Sequence, residues 1–191
     1  MPNHVQSLLK ITGEERVIAQ LVEFVRYGKE PFAFEKIVPQ PACVFQGGLG
    51  AAESEANPGR NWYAWNTRRW GTKWGAYAQH IRHRADGCVH FSYQSAWSEG
   101  RPVIDELAML FPELRIEHHF IDEHGQGGCN GTVVYEPADP HVLARGDEAE
   151  ARRRDVETST GELHVLIHGC TKEQYFGDDA GDDAKEAADA P

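Results

Sequence analysis

An α+β sandwich, with two helices crossing one face of a mostly antiparallel sheet, is the fold class this sequence predicts, on three observations. Short alternating segments that read as strands recur along residues 1–137, and two stretches of helical period stand between them. The 191 residues, 40% of them apolar, suffice for one good core and a small appendage.

Residues 5–12 alternate in part and close at Gly13, which suits a strand. A helix follows, with Glu14 and Glu15 at the positive end of its dipole and Val17, Ile18, Leu21, Val22 and Val25 along one stripe; Gly28 is placed to stop it. Residues 31–39 read as a second strand with Phe32 and Phe34 on one face, and residues 40–60 as an irregular loop rich in Gly, Ala and Glu. Residues 61–77 hold four of the five tryptophans and begin as a helix that Gly71 and Gly75 limit. Residues 88–97 form the clearest strand, with Val89, Phe91, Tyr93 and Trp97 on one side. Pro102 suits the first turn of a helix carrying Val103, Ile104, Leu107, Ala108, Leu110 and Phe111, and residues 114–121 and 131–135 supply two more strands. This order describes a ferredoxin-like sandwich, a name that implies no iron cluster here. Beyond it, residues 145–154 read as a charged helix and 163–167 as a short strand.

Three regions follow: a ferredoxin-like domain over 1–137 with the Trp-rich insertion at 61–77, a C-terminal extension over 138–171, and an acidic tail over 172–191. Residues 1–137 hold 13 Lys or Arg against 16 Asp or Glu, whereas 138–191 hold 6 against 14, so the acidity belongs to the end of the chain. Residues 177–184 repeat a Gly-Asp-Asp-Ala unit, and a segment so poor in apolar side chains cannot offset its ordering entropy and is expected to be disordered. No apolar run approaches bilayer length and the start lacks the regions of a signal peptide, so the expectation is a soluble, cytosolic protein without a membrane partner. Cys43, Cys88, Cys129 and Cys170 lack the close spacing of a zinc ribbon or redox pair and read as free thiols.

Several segments together resemble one family: Met1-Pro2-Asn3-His4-Val5, then Phe34-Glu35-Lys36-Ile37-Val38-Pro39-Gln40-Pro41, Trp62-Tyr63-Ala64-Trp65-Asn66 with Trp70-Gly71-Thr72-Lys73-Trp74, Ser95-Ala96-Trp97-Ser98, and Phe111-Pro112. They are similar to the Api92-like, or YubB-like, proteins of phages and plasmids, which carry a ferredoxin-like domain. The resemblance covers residues 1–137, and its most specific part is the block Trp70 to Trp74. The chain departs from the pattern in a longer loop over 42–60 and in the acidic tail. The resemblance implies a mobile-element origin and a fold, but no reaction.

The Trp block supplies the candidate binding residues Trp62, Trp65, Arg68, Arg69, Trp70, Lys73 and Trp74. Interleaved rings and cations suit base stacking with phosphate contacts, a docking patch for a protein, or cover for an open sheet face. Among ten histidines, His80 and His83 would share a helical face, Cys88 and His90 a strand face, and His118, His119, His124 and Cys129 would approach from neighbouring strands. No closed zinc signature exists, Glu117, Asp122 and Glu123 suit a charged hairpin better than acid–base work, and Gly47-Gly48-Leu49-Gly50 lacks the Lys of a phosphate loop. No catalytic residue, cofactor or metal ligand is therefore assigned. The leading reading is a non-catalytic cytosolic binding module for a host or element protein. Single-stranded nucleic-acid binding through the Trp block is the alternative, weakened by the core's near balance of charge. A metal-dependent hydrolase is the second alternative. The sequence does not fix the oligomeric state.

Overall fold

The computed structural model describes residues 3–123, 128–138, 152–171 and 174. Six strands, β1 (His4–Thr12), β2 (Tyr77–Ala85), β3 (Cys88–Ala96), β4 (Arg115–Asp122), β5 (Gly131–Tyr135) and β6 (Arg153–Val156), form one sheet in the order β2-β3-β1-β4-β5-β6. Every pairing is antiparallel. Six helices accompany them among the described residues: α1 (Glu15–Val25), α2 (Phe34–Ile37), α3 (Ala51–Ala56), α4 (Trp62–Arg69), α5 (Arg101–Leu110) and α6 (Thr160–His168). The run β1-α1-β2-β3-α5-β4 with strand order 2-3-1-4 is the ferredoxin-like arrangement, and β5 and β6 widen the sheet beyond β4.

The side-chain period of two sets the layers. Val5, Leu9 and Ile11 of β1, Val89, Phe91 and Tyr93 of β3, and Ile116 and Phe120 of β4 share the face that α1 and α5 cover. Helix α1 adds Val17, Ile18, Leu21 and Val25, and α5 adds Val103, Ile104, Leu107 and Ala108. Phe32 stacks on Tyr93 at 5.1 Å between ring centres while Phe34 meets the same ring edge-on at 5.6 Å. Each fully buried side chain of this size stabilises by about 1.5–3 kcal/mol. On the opposite face Leu8 and Ile121 pack with Leu163 and Ile167 of α6 in a second, smaller cluster.

Three local expectations are corrected. Residues 31–39 do not form a strand: Phe34 and Ile37 are buried one turn apart on α2, and Phe32 enters the core from the extended lead-in, so the three side chains are satisfied without pairing. The second strand is β2, on the segment that had suggested a helical face for His80 and His83; its pairing with β3 is interrupted by two register shifts, and seven of its nine residues are exposed. Residues 163–167 belong to helix α6, because Ser159 and Glu162 make a reciprocal capping box that starts it. The loop over 40–60 also contains α3, an exposed turn of Ala and Glu. Of the charged helix expected over 145–154, Arg153 and Arg154 lie instead in β6, and residues 145–151 are outside the described residues. The Gly-Asp-Asp-Ala repeat and His124 are likewise outside them.

Trp97 is also displaced from its expected place on the core face of β3. The strand stops at Ala96, and Trp97 takes a left-handed conformation (φ 72°) that turns its indole outward, 44% exposed.

Candidate functional site

The Trp block is fastened at both ends by asparagines. Asn61 caps α4 by accepting from the Ala64 N–H at 2.9 Å. Buried Asn66 donates to the Lys73 carbonyl at 2.9 Å and accepts from Gln40 Nε2 at 2.9 Å, tying α4 to the loop that follows it and to the segment after α2. Gly71, at φ 76°, lets the chain reverse after Trp70 beside the Pro102 ring, and buried Thr72 donates its hydroxyl to the Trp74 carbonyl. The sequence Trp70-Gly71-Thr72-Lys73-Trp74 is thus an anchor, a turn, a second anchor and two presented side chains.

The seven candidate residues divide accordingly. Trp70 is 3% exposed, donates Nε1–H to the Val38 carbonyl at 2.9 Å, and meets Trp65 edge-on at 5.3 Å. Trp65 packs against the same core, so these two rings are structure rather than contact surface. Trp62 is half-buried and donates to the Gly47 carbonyl at 3.1 Å. Arg68 and Arg69 are exposed in the last turn of α4, where cations suit the negative end of the helix dipole. Lys73 Nζ sits 4.7 Å from the Trp74 ring and 5.3 Å from the Trp97 ring. A cation held between two partly exposed indoles is worth about 0.5–2 kcal/mol.

Three members of the surface, Tyr63, Trp97 and Tyr77, were missed. Tyr63, 39% exposed, meets Trp62 at 5.9 Å and Trp97 at 6.3 Å, and Trp74 meets Tyr77 at 6.4 Å. An aromatic ridge results, with Trp62, Tyr63 and Trp97 in one part, Trp74 and Tyr77 in the other, and Lys73 bridging the Trp97 and Trp74 rings. Tyr77 in turn bonds to His4 Nδ1 at 2.5 Å, tying the ridge to the start of β1. Trp97 could have been suspected only from its place in Ser95-Ala96-Trp97-Ser98; its spacing alone points to the core.

Next to the ridge, inside the fold, lies a polar network. The Tyr93 hydroxyl donates to the Glu99 carbonyl at 3.2 Å and lies 3.1 Å from His118 Nε2, itself 3.1 Å from Ser7 Oγ. The Glu99 carboxylate accepts from Arg101 Nε at 2.9 Å, Ser98 Oγ at 3.0 Å and Cys129 Sγ at 3.2 Å. Burial pushes the Glu99 carboxyl up, but its own backbone N–H, the Cys129 thiol, His118 and Arg101 outweigh that and keep it below the usual carboxylate range. Burial, reinforced by the Glu99 charge, pushes the Cys129 thiol up to about 12. Burial holds the His118 imidazole well below the ordinary histidine value. The Cys129 thiol and the His118 imidazole serve here as hydrogen-bond partners around the β3–α5 turn.

The histidines spread over several places. His83 faces His90 across β2 and β3 at 5.0 Å between rings, with Cys88 Sγ 3.4 Å from His90 Nε2. His80 stands opposite Ser92 instead, and His118 and His119 point to opposite faces of the sheet, towards Ser7 and Thr132 respectively. Glu117 pairs with His119 at 3.3 Å and with Arg115, and Glu123 begins the turn after β4. Among the described residues, no group of three or more His, Cys, Asp or Glu is arranged to hold a metal ion.

Comparison with known proteins adds the following. Residues 73–165 match the family described as "Ferredoxin-like domain in Api92-like protein". A crystal structure of a protein Api92 from Yersinia pseudotuberculosis is similar in shape, with a TM-score of 0.48 and 8% sequence identity, covering 83% of this chain and 99% of that one. No curated protein matches the sequence. Among the described residues, no helix is long and apolar enough to cross a membrane.

Proposed function

We propose that this chain, whose residues 73–165 match the family described as a ferredoxin-like domain in Api92-like protein, is a non-catalytic binding module that docks a host or element protein through the aromatic ridge. It acts in the cytosol, as an accessory protein of a phage or plasmid. The observation that carries the reading is the junction of exposed Tyr63 and Trp97 with half-buried Lys73 and Trp74. Large aromatic rings on a rigid support beside Arg68 and Arg69 are the composition of protein-interface hot spots. The partner's matching surface combines apolar side chains with carboxylates, which the three cations would meet.

Base stacking is the weaker reading. Trp65 and Trp70 are committed to the interior, and Lys73 covers part of the Trp74 and Trp97 rings, where a base would stack. A metal-dependent hydrolase finds no ligand set among the described residues.

The test is capture of a protein partner by the immobilised full chain, compared with the Trp97→Ala and Lys73→Ala variants. If the ridge is the contact surface, each variant keeps the parent's circular dichroism and thermal midpoint and loses partner affinity by about 30-fold, the effect of a hot-spot side chain. Capture that survives both changes sinks the reading. A salt-reversible shift of tryptophan emission on adding single-stranded oligonucleotide, abolished in Trp97→Ala, would replace it with the nucleic-acid one.

A further inference from the structure

A second site lies further along β2, where the strand departs from regular pairing. Between Tyr77 and His80 the strand advances three residues while β3 advances two, from Gln94 to Ser92, so β2 carries one extra residue. Ala78 absorbs it in a left-handed conformation (φ 51°) that residues with a side chain rarely adopt. Unbroken pairing from Tyr77 would set His80 opposite Phe91 and Arg82 opposite Val89, both of which belong to the core. The extra residue sets His80 opposite Ser92 instead, on the other face of the sheet. A second shift, between Ile81 and His83, leaves Arg82 without a partner residue on β3, and its Nε–H donates to Ser92 Oγ at 3.0 Å. Bulges re-aim side chains, and these two bring a guanidinium and an imidazole to one place.

That place is a pocket of about 180 Å³ between β2 and α6, whose walls include Gln6, His80, Arg82, Ser92, Gln94 and Ile167. It has room for about six waters at about 30 Å³ each. No Asp or Glu lines it, in a chain whose formal net charge is −11. Strand β2 itself, residues 77–85, carries two Arg and two His and no acid. Among the described residues no carboxylate pairs with Arg82, whose Nε is committed to Ser92 while its Nη groups remain for an outside acceptor. The Ser92 hydroxyl, having accepted from Arg82, keeps its own hydrogen to donate, and Gln94 adds an amide and His80 a ring nitrogen. These donors stand on two neighbouring strands and approach from different directions. A planar carboxylate is satisfied by the guanidinium fork alone, whereas the tetrahedral oxygens of a phosphate group can use them all.

We propose that this pocket binds a phosphate group, free as inorganic phosphate or at the end of a small monoester. The Nη groups of Arg82 meet its charge, and Ser92, Gln94 and His80 complete its hydrogen bonds. The site faces solvent through exposed His80 and Arg82, so a ligand enters without displacing any described element.

The test titrates the full chain with inorganic phosphate, glycerol 3-phosphate and acetate while backbone amide resonances are followed by NMR. Expected is saturable movement of the His80, Ser92 and Gln94 amides with the phosphates, at least about 10-fold tighter than with acetate. Tighter binding of glycerol 3-phosphate than of inorganic phosphate assigns the monoester as the source, and equal or weaker binding assigns the free ion. Arg82→Gln, at an exposed position, keeps the parent's circular dichroism and weakens phosphate binding at least about 10-fold, the effect of losing hydrogen bonds to a charged group, whereas Arg82→Lys retains part of the affinity. Amides that do not move, acetate binding as tight as phosphate binding, or undiminished phosphate binding by Arg82→Gln would each overturn the proposal. None of these outcomes involves Lys73 or Trp97, so the docking reading of the ridge stands or falls separately.

Discussion

Replacing Trp70 by Phe is expected to destabilise the fold by about 2–4 kcal/mol. The indole is almost wholly buried, between Trp65 at 5.3 Å and Phe34 at 6.2 Å. Its Nε1–H is the donor to the Val38 carbonyl, and phenylalanine keeps an aromatic ring while removing that donor. A buried carbonyl left without its partner costs about 1–3 kcal/mol. The void left by the missing part of the indole adds about 1 kcal/mol at about 24 cal/mol per Å³. Equilibrium urea unfolding measures the sum: with a slope of about 2 kcal/mol per M, the midpoint falls by about 1–2 M. The same substitution at Trp97, turned outward, is expected to move the midpoint by less than about 0.3 M. A Trp70→Phe midpoint within about 0.2 M of the parent, at unchanged slope, would refute the assignment of Trp70 as the anchor of its segment.

Two further outcomes follow from the buried titratable groups. Cys129, a thiol pushed up to about 12 by burial and by Glu99, resists iodoacetamide in the native protein at pH 8, whereas exposed Cys43 is alkylated; mass spectrometry of timed samples checks the order, and early labelling of Cys129 contradicts the network. His168 lies at about 4 in the folded chain against about 6.5 unfolded, so the unfolded chain takes the proton first as the pH falls. Its contribution is therefore complete above about pH 6.5 and is lost progressively down to about pH 4; after discounting for its partial exposure we expect about 1 kcal/mol. The stability of the parent falls relative to that of His168→Gln as the pH drops through this range if this holds, and a difference that stays constant with pH would reject it.

The elements legible in the sequence are those whose burial is one-sided and regular. Val5, Leu9 and Ile11 of β1, Val89, Phe91 and Tyr93 of β3, and the stripes of α1 and α5 keep their period because one continuous core imposes it. Strand β2 was hidden for the opposite reason: as an edge strand with two register shifts it buries almost nothing, so His80, Ile81, Arg82 and His83 carry no alternation to read. Helix α6 contributes Leu163 and Ile167 to the small cluster with Leu8 and Ile121, and two buried apolar positions are too few to show a helical period over five residues. At the site, the position of the Trp block was visible but its division was not. Trp70 turns inward because Val38, 32 residues earlier, offers a carbonyl, and Trp97 turns outward because of one backbone angle. Neither is a property of local spacing.

The central place of β1 also governs when the molecule can assemble. Strand β1 is synthesised before the strands it pairs with, β3 on one side and, on the other, β4, whose last residue is Asp122. About 110 residues must therefore be added after β1 before it has both neighbours, on the order of 5 to 20 s at about 5–20 residues per second. Until β3 is complete at Ala96 an apolar strand waits in the nascent chain with both edges unsatisfied, and one edge stays open until β4 follows. Synthesis rate and chaperone access, rather than native contacts, then decide how much of the chain escapes aggregation.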